Sequence, residues 1–354
     1  MSEPQVRIRP EIDAIPTYVP GKSQPGAAKM SSNENPNPPG PAAQQAMAAA
    51  IPGVNRYPDM GATDLIAGLA DYHGVESDQI AVSTGSSAVL LSALSVVAAP
   101  GAEVIYAWRS FESYPIAIPA VGATPVPVPL DAEWRHDLAA MAAAVTDRTA
   151  AVILCTPNNP TGPAIPLAEI RAFAARIPDD VLVIVDEAYI DFADPAAYAT
   201  AIREIATHPN LLVLRTFSKA FALAGLRVGY GIGHPRVIDA IRKVSVPFGV
   251  SSVAQAGALA ALGDADTVRA QVAQIRADRD RIATELRAAG YRVPDTQSNF
   301  VWIPADQSGP EFVAACADAG VIVRPFPEGV RVSTGSAEEN GRFLQIARAF
   351  AAAR

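Results

Sequence analysis

Cysteine is scarce in this chain: two residues among 354, Cys155 and Cys316, each inside an apolar segment. That scarcity excludes a disulfide framework, and no Cys/His spacing resembles a metal site, so both thiols are expected to be buried and reduced in a cytoplasmic protein. Histidine is nearly as rare. His73, His136, His208 and His234 sit in polar or turn-like contexts without a paired carboxylate, and none is assigned to catalysis. Positive charge is short as well: 28 Lys and Arg against 36 Asp and Glu leave a net charge of −8. That balance argues against nucleic acid or an anionic membrane as partner, since both need a basic face. Long apolar runs are missing too. The longest, 89–99, is interrupted by Ser92 and Ser95 and is too short to span a bilayer. Residues 1–13 mix Glu3, Arg7, Arg9, Glu11 and Asp13 with no apolar stretch, so no secretion signal is expected.

What is present is enough apolar material for more than one core, half of the residues being hydrophobic. Chains longer than about 250–300 residues tend to split into domains, so a large and a small one are expected. Residues 1–40 are rich in Pro, Asn and Gly and read as an extended arm that reaches a partner. Over 41–247, short apolar runs at 79–83, 103–107, 124–128, 151–155, 181–185 and 211–214 alternate with helical stretches, as in a mostly parallel sheet. From 248 to 354 the pattern changes to a long charged helix, 265–289, followed by strands at 291–293 and 299–303. A helix at 311–319, strands at 321–324 and 330–333, and a closing helix from 338 complete it. The expected fold is α/β, with a mostly parallel large domain and a smaller α+β C-terminal domain.

Chemistry concentrates in Arg215-Thr216-Phe217-Ser218-Lys219-Ala220 and Gly225-Leu226-Arg227-Val228-Gly229. A lysine amine can form a Schiff base with a carbonyl carbon, while Thr216, Ser218 and Arg227 can donate to phosphate oxygens. Upstream, Val181-Leu182-Val183-Ile184-Val185-Asp186 is an apolar strand that ends in a carboxylate, at the edge where open α/β sheets bind ligands. Pyridoxal phosphate needs both a Schiff-base lysine and an acid partner for its ring nitrogen, and Lys219 and Asp186 fit those roles. Ser83-Thr84-Gly85-Ser86-Ser87 joins a strand to an apolar helix whose N-terminus could hold a phosphate, although Gly and Ser also serve such turns for geometry and capping alone. Asn159-Pro160-Thr161-Gly162 is otherwise a plausible plain turn, since Asn-Pro and a following Gly punctuate chains widely.

Six segments in order carry a family resemblance: Ser32-Asn33-Glu34-Asn35-Pro36, Arg56-Tyr57-Pro58-Asp59, Pro157-Asn158-Asn159-Pro160-Thr161-Gly162, Asp186-Glu187-Ala188-Tyr189, Thr216 onward to Gly229, and Val330-Arg331-Val332. Together they resemble the fold-type I pyridoxal-phosphate aminotransferases of class I/II, in the branch of histidinol-phosphate and aromatic amino acid aminotransferases. The resemblance implies that Gly85, Ser86, Ser87, Thr216, Ser218 and Arg227 hold the cofactor phosphate, with Tyr57 reaching it from the neighbouring subunit of a homodimer. It places Tyr189 and Asn159 at the cofactor's phenolic oxygen, with Asn158 the lesser candidate of the pair. Phe111 lies against the ring, where many relatives have tyrosine. Ser87 and Ala88 replace an acidic pair found in relatives. Arg331 would grip the substrate α-carboxylate, Asn33 would support that pocket, Arg324 would meet the distal end, and Tyr18 would line the substrate side from the arm.

The implied activity is a ping-pong transamination, Lys219 moving the substrate's Cα proton and 2-oxoglutarate accepting the amine. Tyr18-Val19-Pro20-Gly21-Lys22, Trp108-Arg109-Ser110-Phe111-Glu112 and Val323-Arg324-Pro325-Phe326 resemble the members acting on phenylalanine, tyrosine and tryptophan. Histidinol phosphate is the alternative donor, and decarboxylation of a phosphorylated amino acid a third reading. A cofactor-sensing module of a transcription regulator would need an added basic DNA-binding domain, which this acidic chain lacks.

Overall fold

The computed structural model describes residues 6–18, 21 and 24–353; Val19, Pro20 and Lys22 of the arm motif lie outside the described residues. Strands β1 (Ala28–Lys29), β2 (Ile80–Ser83), β3 (Glu103–Trp108), β4 (Thr124–Pro129), β5 (Thr149–Cys155), β6 (Leu182–Asp186), β7 (Leu211–Thr216) and β8 (Gly229–Gly233) precede β9 (Phe300–Pro304), β10 (Val321–Ile322), β11 (Arg324–Phe326) and β12 (Gly329–Ser333). Seven of them form one sheet in the order β2-β8-β7-β6-β5-β3-β4, parallel throughout except at β8.

The alternation of side chains explains why β5 and β6 read as unbroken apolar runs. Val152, Leu154, Val183 and Val185 enter the core on one face of the sheet, while Ala151, Ile153, Leu182 and Ile184 enter the core on the other. A strand covered on both faces has no solvent side to mark with polar residues. Helices Pro41–Ala50, Thr63–His73, Leu167–Ala174 and Ser252–Gly263 cover the first face, and Ser86–Val97, Tyr114–Ala120 and Pro235–Val244 the second. The first core runs on through Val250, Ala254 and Ala258 to Ile275, beyond the expected boundary near residue 248.

β8 was not expected, because its glycines look like loop punctuation. Their reason is proximity. A Cβ at Gly229 would collide with the Ser86 backbone nitrogen, and one at Gly231 would sit 2.9 Å from Val89 Cγ1, so bare glycines let the Ser86–Val97 helix lie directly on the strand.

A third core, separate from the other two, gathers Ile282, Leu286, Phe312, Val330, Val332 and Phe343 under the sheet β11-β12-β9. The arm joins it. β1 pairs in parallel with β10, and Ala28 and Met30 are buried among the third core's side chains. No strand forms at 291–293. Tyr291 N instead closes the preceding helix on Leu286 O, Arg292 N donates to Gln307 Oε1, and the Arg287 side chain takes the Val293 carbonyl, so these three backbone groups are satisfied without a ladder partner.

The large sheet delivers its loops to one edge. β2 and β3–β7 run in one direction, and the chain reverses its order at β3, with β4 on one side and β5 on the other. The carboxyl ends beside such a reversal are where α/β sheets form a crevice.

Candidate functional site

Lys219 follows β7 at this edge. Burial, reinforced by the positive charges of Arg331 and Arg227, outweighs Glu34 and Asp186 and lowers its pKa to about 8. Its Nζ lies 5.5 Å from the centre of the Tyr189 ring. Asp186 ends β6 and is 5% exposed. Tyr114, buried in the second core, donates to Asp186 Oδ2 at 2.8 Å, and the Ala188 amide approaches Oδ1 at 3.2 Å. Burial raises the Asp186 pKa, while Tyr114, Ala188 and Lys219 pull it down.

At the other end of the crevice, the Ser86–Val97 helix starts from Gly85, whose φ of 94° favours glycine, and no side chain caps it. Ser86 and Ser87 therefore stand at a helix end that attracts anions. Arg227 has a left-handed backbone, φ 56°, and its Nη1 donates to Ala224 O at 2.9 Å and faces Ser218 Oγ at 3.5 Å. A Cβ on Gly85 would come within 2.8 Å of Arg227 Nη2. Thr216 Oγ1 accepts from the Ser218 amide at 3.1 Å. Arg227 makes no ion pair with a carboxylate among the described residues, so a buried structural pair does not explain it.

Arg331 projects from β12 away from the third core, between Val330 and Val332, which enter it. Its Nη1 donates to Asn159 Oδ1 at 2.5 Å and its Nη2 to Ser31 O at 2.7 Å, while Nε is buried without a partner. Burial lowers its pKa. Asn33 donates through Nδ2 to the Tyr189 hydroxyl at 2.9 Å, and its Oδ1 and amide nitrogen meet the Ser333 hydroxyl at 2.7 and 2.8 Å. Lys219, Tyr189, Asn33, Asn159 and Arg331 thus form one cluster. Asn33 acts on Tyr189 and Ser333 rather than on Arg331.

The remaining candidates lie around it. Phe111 packs edge-on against Tyr114, with ring centres 5.6 Å apart. Arg324 pairs with Glu112 at 2.9 Å. Tyr18 is half exposed on the arm, near enough to bear on the Arg331 charge. Tyr57 stays apart, 82% exposed, with Phe248 against its ring.

Two sets of contacts were invisible in the sequence. Tyr114 was not among the candidates, and nothing in its surroundings signalled the bond to Asp186. Asn158 proves to be a structural knot: its Oδ1 accepts from Ser110 at 2.7 Å and His136 Nε2 at 3.2 Å, and its Nδ2 donates to Arg109 O and Thr161 Oγ1. His136 is therefore buried, not turn-like, and burial lowers its pKa to about 4. His73, bonded to the Tyr230 hydroxyl, is likewise desolvated, its pKa lowered to about 3. A cavity of about 1000 Å³ behind Arg109, walled by Trp108, Trp134, His136 and Tyr198, does not include Lys219.

Residues 26–346 match the family aminotransferase class I and II. The chain belongs to that family. This aminotransferase is 48% identical, over 99% of both chains, to the aromatic amino acid aminotransferase of Streptomyces coelicolor. It is 46% identical to the enzyme of the same name from Mycobacteroides abscessus, over 97% of this chain and 99% of that one. Its fold matches the histidinol-phosphate aminotransferase of Sinorhizobium meliloti in complex with pyridoxal-5'-phosphate, at TM-score 0.89 and 28% identity over 98% of each chain. It also matches Thermus thermophilus aspartate aminotransferase with maleate, at TM-score 0.80 and 25% identity over 92% of this chain and 91% of that one. The α/β, mostly parallel fold expected from the sequence is the fold of these enzymes.

Proposed function

We propose that this aminotransferase uses pyridoxal 5'-phosphate to move the amino group of an aromatic L-amino acid to 2-oxoglutarate, giving the aromatic 2-oxo acid and L-glutamate. One observation carries the reading. Arg331 is a buried guanidinium that donates to two amide oxygens and makes no ion pair among the described residues, with a bare Nε, beside a lysine of lowered pKa. A desolvated cation without an anion is costly, and a substrate carboxylate is the planar, two-oxygen partner that its fork fits.

The residues fit the cofactor. Gly85, the helix start at Ser86 and Ser87, Thr216, Ser218 and Arg227 offer amides, hydroxyls and an unpaired guanidinium to a phosphate. Asp186, aimed by Tyr114 and Ala188, suits a protonated ring nitrogen. Asn159 spends Oδ1 on Arg331 and keeps Nδ2, with the Tyr189 hydroxyl, for the phenolic oxygen. Phe111, edge-on to Tyr114, would offer its face to the cofactor ring. When bound, the cofactor supplies the electron sink that makes the substrate Cα proton removable. Lys219 Nζ, with its pKa near 8, can then take that proton and return it at neutral pH.

The aromatic donor rests on relatives with that name and on the ring of Phe326, 5.6 Å from the Arg331 guanidinium. Tyr18 and Arg324 belong to the distal side of the same pocket. A homodimer is part of the proposal: Tyr57, exposed with Ile51, Val54, Met60 and Val246, suits a second chain whose phosphate site it completes. No helix among the described residues is long and apolar enough to cross a membrane, and a cytoplasmic enzyme suits the two free, buried cysteines. The test is a donor panel with 2-oxoglutarate. Phenylalanine and tyrosine should exceed histidinol phosphate in kcat/KM, and the reverse ranking moves the enzyme to the histidinol-phosphate reading.

A further inference from the structure

Two guanidiniums besides Arg331 approach the ring of Phe326, and each already has a carboxylate. Arg324 stands opposite Arg331 in the β11–β12 register, so the two side chains leave the sheet on the same face. Arg324 Nη2 donates to the Glu112 oxygens at 2.9 and 3.1 Å. Arg109 donates through Nε and Nη2 to Glu328, both at 2.8 Å, and lies 4.1 Å over the Trp108 ring. Phe326 sits among them, its ring centre 5.5 Å from Arg324 and 5.6 Å from both Arg109 and Arg331. With each cation matched by an anion, this wall offers a donor an aromatic ring and no net charge.

We propose that Glu112 is a specificity-determining residue: its carboxylate cancels the Arg324 charge, so that the pocket takes an uncharged aromatic side chain and discriminates against a donor ending in phosphate. The inference rests on the aromatic-donor reading above. A phosphate entering here meets the like charge of Glu112 and must displace it to reach Arg324, and discrimination built on repulsion is removed by deleting the repelling group. Glu112 and Arg324 keep 29% and 11% side-chain exposure, so a substitution at Glu112 leaves the cores intact.

The experiment compares wild type, Glu112→Gln, Arg324→Gln and the double variant, with phenylalanine and histidinol phosphate as donors. In Glu112→Gln the ratio of kcat/KM for histidinol phosphate to that for phenylalanine should rise about ten- to a hundredfold, the worth of one charge-assisted hydrogen bond. The gain should lie mainly in KM, because the contact is made to a donor group that takes no part in the bond changes. It should vanish in the double variant, and Glu112→Asp, which keeps the charge, should retain the wild-type ratio. An unchanged ratio in Glu112→Gln overturns the proposal, and so does a gain that survives the loss of Arg324. A wild-type preference for histidinol phosphate refutes the aromatic reading instead, and the wild-type arm alone reveals it.

Discussion

The lowered pKa of Lys219 makes a kinetic prediction about the enzyme stripped of cofactor. With the pKa at about 8 instead of the ordinary 10.5, about a quarter of the amine is neutral at about pH 7.5, against about one part in a thousand for an ordinary lysine. Only the neutral amine attacks a carbonyl, so capture of pyridoxal phosphate should run about two hundredfold faster near neutrality than an unperturbed lysine allows. The assay is stopped-flow absorbance of apoenzyme mixed with cofactor across pH, with borohydride reduction and peptide mass analysis to place the label on Lys219. The rate should reach half its maximum near pH 8. Arg331→Met removes the nearest cause after burial and should move that midpoint to higher pH, while ionisations of the cofactor itself are common to both proteins. The same shift has a stability consequence. Between about 8 and 10.5 the unfolded chain binds more protons at this lysine than the folded one, so the penalty of burying the amine is complete below about pH 8 and fades as pH rises. A wild-type midpoint near 10, or an Arg331→Met profile that superimposes on the wild type, refutes the argument.

Three further outcomes are expected. Arg227→Ala should raise the cofactor dissociation constant about ten- to a hundredfold, since one charge-assisted contact is lost; an unchanged constant measured by fluorescence titration assigns Arg227 to holding Ala224 alone. Tyr114→Phe leaves the buried Asp186 short of its 2.8 Å donor, which should push the Asp186 pKa higher and weaken cofactor binding by about 1.5–3 kcal/mol; calorimetry showing wild-type affinity would remove Tyr114 from the site. Tyr57→Ala and Lys219→Ala, each impaired as pure dimers, should recover activity when mixed and re-associated, because a hybrid unites an intact Lys219 with the partner's intact tyrosine. A mixture that stays at the parents' average, with subunit exchange verified by mass, assigns Tyr57 to its own chain.

Strands such as β5, β6 and β7 were legible because burial on both faces writes an uninterrupted apolar run. β8 was not, for a reason of the same physics. Where a helix lies directly on a strand, the side chains that would have marked it are deleted, and Gly229 and Gly231 carry no strand signal. The 291–293 segment fails in the opposite sense: its Tyr, Arg and Val have strand preference, but Arg287 and Gln307 satisfy its backbone locally. Propensity reports what a residue tolerates, and hydrogen-bond partners decide what it does.

The site divides along a similar line. Lys219 and Asp186 were candidates from their own neighbours, a hydroxyl-rich turn and the end of an apolar strand, whereas Asn159 and Arg331 were candidates only through the family resemblance. What aims them could not be found that way, since it comes from elsewhere in the chain: Tyr114 reaches Asp186 across 72 residues, Asn33 reaches Tyr189 across 156, and Glu112 reaches Arg324 across 212. Such partners need no local motif, because a core tyrosine or a loop glutamate is unremarkable until the fold sets it beside a charge. The ion pairs show why this matters for function. Read alone, Arg324 is a cation that invites a phosphate; read with Glu112, it is half of a neutral wall beside Phe326. The choice between the two donors therefore turns on a pairing that spacing along the chain cannot express, and the Glu112→Gln ratio measures that pairing directly.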